Sequence, residues 1–528
     1  MKTSAKIEFG DFQTPLPLAR EVCALLKSQS VRADIVIEPT CGLGSFLQAA
    51  VENYPKARLF GLDINHDHVA TTTELLKDIG ARNRAVVRQQ DFFAHDWDSE
   101  FHRLRGDLLI LGNLPWVTNQ KIGSLNGSNV PAKTNFQNFR GLEARTGKSN
   151  FDISEWMLIQ LVRALHGRHA TIAMLCKTGT ARKLLRFAWQ NDGRIARAAI
   201  YAIDAKAHFN AAVEACLLVA QLGEAGSAEA EVFDSLQART PCRRLGLAGQ
   251  NLTANIKTYR RLQHLEGLCP YQWRSGVKHD CSSVMELTPD EAGVLQNKLG
   301  ENVLVESESR YPLLKCSDLA NGIDVPKRSV LVTQKRVGDD TMVLADSAPR
   351  TWTYLNGHRA KFDARKSSIY KARTPFAMFG IGDYTFARWK VAISGLHRHP
   401  RFIFVPPVKG KPVLFDDTCY FLSFDNEQEA RVVTDILNSK PCLEFLEALI
   451  FPESKRPITV DVLERLNLAA IAEAAGMLNG WQNVRRVNYT QAGRAPQFEL
   501  VMEDSQPSSK TLQAKSVRYK INKKIHNQ

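Results

Sequence analysis

Four short stretches of this 528-residue chain hold residue types and spacings suited to chemistry on a nucleoside. The run "VIEPTCGLGSFL" (36–47) places Gly42 and Gly44 where an apolar stretch gives way to a helical pattern. Glycines there let the backbone approach a ligand and adopt conformations costly to other residues. The phosphate-binding fingerprint GxGxxG is incomplete, with Leu47 where its third glycine would stand, which favours a nucleoside over a pyrophosphate cofactor. "FGLDIN" (60–65) ends an apolar run with Asp63, a carboxylate able to accept both hydroxyl protons of a ribose. "QQDFF" (89–93) sets Asp91, an acceptor for an exocyclic amine, beside Phe92, a ring for a purine face. "ILGNLPWVTN" (110–119) then presents an amide, a proline and an indole directly after an apolar run. Taken singly, Asn-x-Pro marks a turn, a lone GxG is a turn, and each aspartate is a helix cap or turn residue. Their recurrence at successive strand ends is what makes them a candidate site.

The elements that must position these residues alternate. Strand patterns run over 34–39, 57–65, 83–93, 106–113, 169–176, 197–204 and 215–222. Between them lie amphipathic stretches such as "SFLQAAVENY", "HDHVATTTELLKDIG" and "ISEWMLIQLVRALHG". That alternation predicts an α/β domain with a parallel sheet covered on both faces. Ligands of such sheets bind beyond the carboxyl ends of the strands, where residues 63, 91 and 113 fall. The small, acidic stretch "GEAGSAEAEVFDS" that follows residue 222 reads as a linker, and residues 223–299 as linker and connecting helices. Residues 300–424 offer strand-like runs with few helical patterns: "RSVLVTQ", "TMVLAD", "PFAMFGIGDYTFA", "WKVAISG", "RFIFVPP" and "PVLFDDTCYFLSF". A helical stretch runs from Asn426 towards Phe451.

Net charge is +14, which suits a polyanionic partner because neutralised phosphates release counterions. Ten cysteines stand singly with no CxxC pair, so neither a zinc ribbon nor a disulfide framework is expected, and no metal site. No stretch reaches the ~18 apolar residues of a membrane span, and "MKTSAKIEFGDFQTP" lacks the apolar middle of a signal peptide. A reducing cytoplasm is the expected location.

In motif order the chain resembles the gamma-group DNA amino-methyltransferases, which use S-adenosylmethionine. The matching pieces are "QTPLPLA" (13–19), "EPTCGLGSF" (38–46), "LDIN" (62–65), "DFF" (91–93) and "NLPW" (113–116), followed by "GKSNFDISEWML" (147–158), "AMLCKTGTARKLL" (173–185) and "IDAKAHFNAAVEACLLV" (203–219). The resemblance spans about residues 10–222 and implies a Rossmann-like class I methyltransferase domain over 1–222. It implies that Thr14 and Pro15 sit near the donor's methionine end, that Glu38, Thr40, Gly42 and Gly44 line the loop beneath it, that Asp63 with Ile64 holds the ribose side, and that Asp91 and Phe92 hold the adenine. Asn113, Leu114, Pro115 and Trp116 then form the methyl-acceptor site, where the Asn113 oxygen and the Leu114 carbonyl take the two protons of a base's exocyclic amine. Trp116 offers a stacking face to a flipped base, with Phe209 on the opposite face or in the core.

The family pattern is Asn-Pro-Pro-aromatic, and Leu114 departs from it. The carbonyl survives, while one fixed φ angle is lost. Asn-Leu-Pro-aromatic also occurs in ribosomal RNA adenine dimethyltransferases, and protein glutamine methyltransferases carry a similar motif. Adenine-N6 methylation of double-stranded DNA is the expected activity, with cytosine N4, RNA adenine and an inactive nucleic-acid-binding relative as alternatives. A separately encoded restriction endonuclease is an expected partner, since no nuclease signature stands out here. The second half fits DNA reading. Between Lys327 and Lys411 there are 17 Lys/Arg against five Asp, interleaved with Trp352, Tyr354, Tyr370, Phe376, Phe379, Tyr384, Phe386 and Trp389. Residues 300–504 are accordingly expected to form a β-rich (α+β) target-recognition domain, and 505–528 a basic tail.

Overall fold

The computed structural model describes residues 13–116, 152–191 and 193–491. Its largest element is a ten-stranded sheet built from β1 (Ile35–Glu38), β2 (Arg58–Asp63), β3 (Ala85–Gln89), β4 (Leu108–Asn113), β5 (Ala170–Lys177), β6 (Ile195–Ile203), β7 (Ala215–Leu222), β8 (Glu229–Phe233), β9 (Arg243–Ala248) and β10 (Asn251–Thr253). The strand order is β10-β9-β8-β6-β7-β5-β4-β1-β2-β3. Strands β3, β2, β1, β4 and β5 run parallel, and β7 inserts antiparallel between β5 and β6. This is the Rossmann-like arrangement of class I methyltransferases. The order reverses at β1, which pairs with both β2 and β4, and such a switch point opens a crevice beyond the strand ends.

Period-two alternation explains the two covered faces. Val36, Leu109, Leu111, Ala173 and Leu175 pack beneath α1 (Leu16–Ser28), α2 (Ser45–Asn53) and α3 (His66–Asp78). Ile35, Ile37, Leu108, Ile110, Ile172 and Met174 point the other way, against α4 (Trp97–Arg103), α5 (Ile153–Ala164) and α6 (Thr178–Gln190). With both faces buried, the strands read as near-continuous apolar runs. Removing one such side chain, as in Leu109→Ala, is expected to cost about 2–5 kcal/mol.

The linker expected after residue 222 is instead part of this sheet. Its acidic residues alternate with apolar ones: Ala230 and Val232 are buried, while Glu231 and Glu229 pair outside with Arg244 and Arg260, each at 2.6 Å. Between residues 274 and 299, three further strands, Arg274–Ser275, Glu286–Pro289 and Leu295–Gln296, belong to the sheets of the second half. A four-stranded antiparallel sheet joins Arg274–Ser275, Cys419–Phe424, Trp389–Ser394 and Phe402–Val405. A five-stranded sheet joins Leu295–Gln296, Glu286–Pro289, Arg328–Leu331, Arg310–Leu314 and Leu414–Phe415.

Two expected strands in this half do not form. "TMVLAD" folds as a 3-10 turn and a helical turn, Thr341–Val343 and Leu344–Ser347. Asp340 accepts from the Met342 N–H at 2.9 Å and so starts that turn. "PFAMFGIGDYTFA" is irregular apart from a bridge of Phe379 to Lys278 and a 3-10 turn at Asp383–Phe386. The dense basic run carries helices at Pro349–Gly357 and Arg359–Asp363. Helices Glu427–Leu437 and Lys440–Leu449 bear out the expected helical stretch. Among the described residues no helix is long and apolar enough to cross a membrane.

Candidate active site

The glycine loop and the loop that follows β4 meet at the switch point. β1 delivers Glu38, and the following turn is held by its neighbours: the Cys41 N–H donates to Leu62 O at 2.8 Å, the Gly42 N–H to Asp63 Oδ2 at 2.8 Å and the Leu43 N–H to Gln13 Oε1 at 3.0 Å. The Thr72 hydroxyl donates to the Gly42 carbonyl at 2.8 Å. Gly42 and Gly44 have φ of +49° and +82°, the left-handed region that favours glycine. The space a Cβ would need is filled by protein: Gln13 Oε1 would lie 2.6 Å from a Cβ on Gly42, and Thr72 Cγ2 2.7 Å from one on Gly44. These glycines thus serve the turn's own packing, beyond the close ligand approach expected of them.

Asp63 is nearly buried and already accepts one backbone N–H on each oxygen, from Gly42 on Oδ2 and from Asn65 on Oδ1, both at 2.8 Å. His68 Nδ1 lies 3.4 Å from Oδ1. Ile64, next along, is 39% exposed. Glu38 is 3% exposed, and burial holds its carboxyl well above the usual range, with Asp63 adding to the effect and the Leu47 N–H opposing it. Glu38 Oε2 has no hydrogen-bond partner. Thr14 is buried and Pro15 caps α1. The Gln13–Leu43 bond brings that segment against the glycine turn.

β4 ends at Asn113, with Ile110 in register with Ile37 of β1. The Thr40 hydroxyl donates to the Asn113 carbonyl at 3.2 Å, joining the two loops. Leu114 is buried in the core and Pro115 half-buried. Trp116 is 5% exposed; its carbonyl accepts from Lys177 Nζ at 3.0 Å. The same ammonium donates to Asp152 Oδ2 at 2.5 Å. Phe209 ends the short helix α7 (Ala205–Phe209), with its ring against Trp116 in a T-shaped contact, centroids 4.9 Å apart.

Three expectations need correcting or narrowing. Trp116 and Phe209 do not flank a slot for a base, because they touch edge to face and both are buried. Phe92 is turned into the core against Trp97 and Phe93, with centroids at 5.0 and 5.6 Å, whereas Ile64, like Leu43 and Val86, is exposed near this edge. Asp91 accepts from the Phe93 N–H at 2.9 Å, the turn role open to a single aspartate.

Sequence reasoning passed over Gln13, Thr72, Asp152 and Lys177. Only Lys177 carried a signal, as a charged residue ending an apolar strand. No metal was expected, yet Cys316, Asp416 and Cys419 gather with ligand atoms within 4.8 Å of one another. Hydrogen bonds account for the group: Cys316 Sγ donates to Thr418 O at 2.9 Å, and Cys419 Sγ lies 3.3 Å from Asp416 Oδ1. The 147–151 part of a later motif and the basic tail (505–528) lie outside the described residues.

No protein-family model matches the chain. It is 42% identical over 473 residues to the type II methyltransferase M.NspV of Nostoc sp. (strain ATCC 29411 / PCC 7524), covering 89% of this chain and 98% of that protein. A shorter match, 34% identical over 83 residues, links 16% of this chain to 18% of the type II methyltransferase M.CvrRI of Paramecium bursaria Chlorella virus XZ-6E. Among solved structures, the type IIL restriction-modification enzyme MmeI in complex with DNA shares the fold, with a TM-score of 0.50 at 12% identity over 90% of this chain and 75% of that one. The chain belongs to the type II methyltransferases of restriction-modification systems, whose methyl donor is S-adenosylmethionine.

Proposed function

We propose that this chain methylates N6 of adenine within a short sequence of double-stranded DNA. One contact carries the reading: the Thr40 hydroxyl on the Asn113 carbonyl sets the glycine loop and the Asn113–Trp116 loop side by side where the strand order reverses. The residues there suit a nucleoside donor. Glu38 Oε2 is a buried oxygen in need of a hydrogen-bond donor. Asp63 takes one N–H per oxygen, which leaves lone pairs for ribose hydroxyls. Ile64 gives an apolar cover for the adenine ring, and Thr14 and Pro15 close the methionine side.

S-adenosylmethionine supplies, when bound, an electrophilic methyl group on a sulfonium. The chain's task is the nucleophile. An exocyclic amine is weak because its lone pair is delocalised into the ring. The Asn113 side-chain oxygen and the Leu114 carbonyl accept hydrogen bonds from its two N–H groups, turn the lone pair out of conjugation and stabilise the charge that develops on nitrogen, which after transfer loses one of those protons to solvent. Orientation provides most of the remaining rate. Trp116, its ring buried against Phe209, contributes its carbonyl to the anchoring of this loop on Lys177. The exposed cations of the second half, Arg359, Lys361, Lys366, Lys371 and Arg373, contact phosphates. A separately encoded endonuclease of matching specificity is the counterpart.

Purified protein with labelled donor and mixed-sequence DNA should label adenine N6. Asn113→Ala should abolish the label and keep donor binding by calorimetry, whereas Asp63→Ala should remove the binding heat. Label on cytosine N4 would transfer the reading to that amine, which the same acceptors can hold. Unlabelled adenine and cytosine, with wild type and Asn113→Ala alike, would overturn it.

A further inference from the structure

We propose that Lys177, in a neutral pair with Asp152, is the positioning residue that fixes the Asn113–Trp116 loop at the donor crevice. The argument begins with where Lys177 is anchored. It ends β5, paired across β7 with Ala215, and two residues before it Leu175 lies in register with Asn113. The next residue, Thr178, donates its N–H to Glu214 O at 3.0 Å. The backbone at Lys177 is thereby held on both sides, and its ammonium reaches a defined point.

Two bonds meet at that point, one to the Trp116 carbonyl at 3.0 Å and one to Asp152 Oδ2 at 2.5 Å. Asp152 is nearly buried, and its other oxygen accepts from the Ser154 N–H at 3.1 Å as the cap of α5. One carboxylate therefore links a helix start to the ammonium, and the ammonium links that helix to the last residue of the acceptor loop. Thr40 holds the same loop from the other side, at the Asn113 carbonyl. The loop has Leu114 where the family pattern has its first proline, so its backbone depends more on such bonds.

Neutrality matters as well as reach. In the transition state positive charge builds on the acceptor nitrogen, and an isolated ammonium nearby would oppose it. With Asp152 in contact the charge is cancelled locally. The pair therefore holds the loop without adding a field against the reaction. A hydroxyl or amide at 177 would not span this distance, and an unpaired lysine would carry an electrostatic penalty.

This inference rests on the reading of Asn113–Trp116 as the methyl-acceptor site, and the test separates the two. In the full-length protein, Lys177→Met should lower kcat about 100-fold, as expected for a loss of alignment, while the donor Kd and the DNA Kd each change less than about threefold. Lys177→Arg, which keeps a cation of similar reach, should recover at least tenfold of that loss. Asp152→Asn should also lower kcat, and the double variant Lys177→Met/Asp152→Asn should be no worse than Lys177→Met alone. Hydrogen exchange of the Asn113, Leu114 and Trp116 amides should speed up in Lys177→Met relative to strands β1 and β2, a readout independent of turnover. Wild-type kcat and unchanged exchange in Lys177→Met would overturn the inference, as would a loss of donor binding parallel to the loss of kcat, or no recovery in Lys177→Arg. A wild-type protein without transferase activity would overturn the acceptor-site reading instead, and exchange would still report whether Lys177 holds the loop.

Discussion

Arg182 donates to Glu453 Oε1 at 2.8 Å, across the boundary between the methyltransferase sheet and the second half of the chain. Arg182 lies on α6, and its guanidinium also donates to the Ser454 hydroxyl at 2.9 Å and covers the Phe451 ring at 4.2 Å. Arg243 of β9 takes the other Glu453 oxygen at 3.0 Å. A single carboxylate thus ties a cation of α6 and one of β9, all largely buried. Glu453→Ala leaves two guanidiniums without a counter-charge and should cost roughly 3 kcal/mol or more in urea denaturation. Arg243→Ala should cost less, because Arg182 still neutralises Glu453. Equal, small effects would show the pairing to be worth no more than an exposed one.

Gly44→Ala should destabilise the protein by about 2 kcal/mol. The left-handed backbone accounts for roughly 1–2 kcal/mol of that, and the contact of the new Cβ with Thr72 Cγ2 for the rest. Thr72→Ser removes Cγ2 and keeps the hydroxyl that bonds Gly42 O. Thermal melts should therefore show Gly44→Ala/Thr72→Ser recovering part of the loss, whereas Thr72→Ser alone should be mildly destabilising.

Trp116 and Phe209 should separate in function although they touch. Phe209→Leu keeps the site apolar and filled, so methyl transfer should stay within about threefold of wild type. Trp116→Leu removes the indole that ends the Asn113–Trp116 loop, and if a base stacks on it, at about 1–3 kcal/mol, the loss should be roughly 10- to 100-fold in kcat/KM. Steady-state kinetics on one oligonucleotide distinguishes the two, and equal losses would restore Phe209 to the base site.

Lys390 gives a pH dependence with a definite sign. It is buried in its strand, donates to Ala387 O and Val413 O at 2.7 and 2.9 Å, and burial lowers its pKa to about 7. The unfolded chain keeps the proton to about 10.4. Well below pH 7 both states are charged, and the cost of burying the ammonium is fully felt. Between pH 7 and 10 the unfolded state binds more protons, so stability should rise with pH, by at most about 1.4 kcal/mol per unit. The difference in urea midpoint between wild type and Lys390→Met should move in favour of wild type over that window. A difference independent of pH would place the lysine's folded pKa near its ordinary value.

The cations of the second half fall into two classes. Arg365 stacks over Tyr370 at 3.6 Å and donates to Ala377 O at 2.8 Å, so Arg365→Ala should unfold this region. Lys371 and Arg373 are exposed. If they contact phosphates, each alanine substitution should weaken binding to all DNA sequences alike and reduce the salt slope by about one. An unchanged slope would remove them from the interface.

The seven strands through residue 222, their parallel core and the placement of Asp63 and Asn113 at strand ends were legible in the sequence, because each is written in a local period-two pattern that both faces of one sheet bury. The turns after β1 and β4 were legible for a related reason: each is a contiguous run of a few residues. Glu229–Phe233 was misread because small and acidic residues masked a two-residue alternation. The aromatics were ambiguous in principle. A phenylalanine that packs and one that stacks on a ligand look identical until its neighbours are known, and Phe92, Phe209 and Phe376 all pack. Tertiary structure alone decided the pairings between distant residues, Lys177 with Trp116 and Asp152, and Arg182 with Glu453. A charge carries no local mark of its partner, and the chain brings these groups together only once the sheet and its helices have closed.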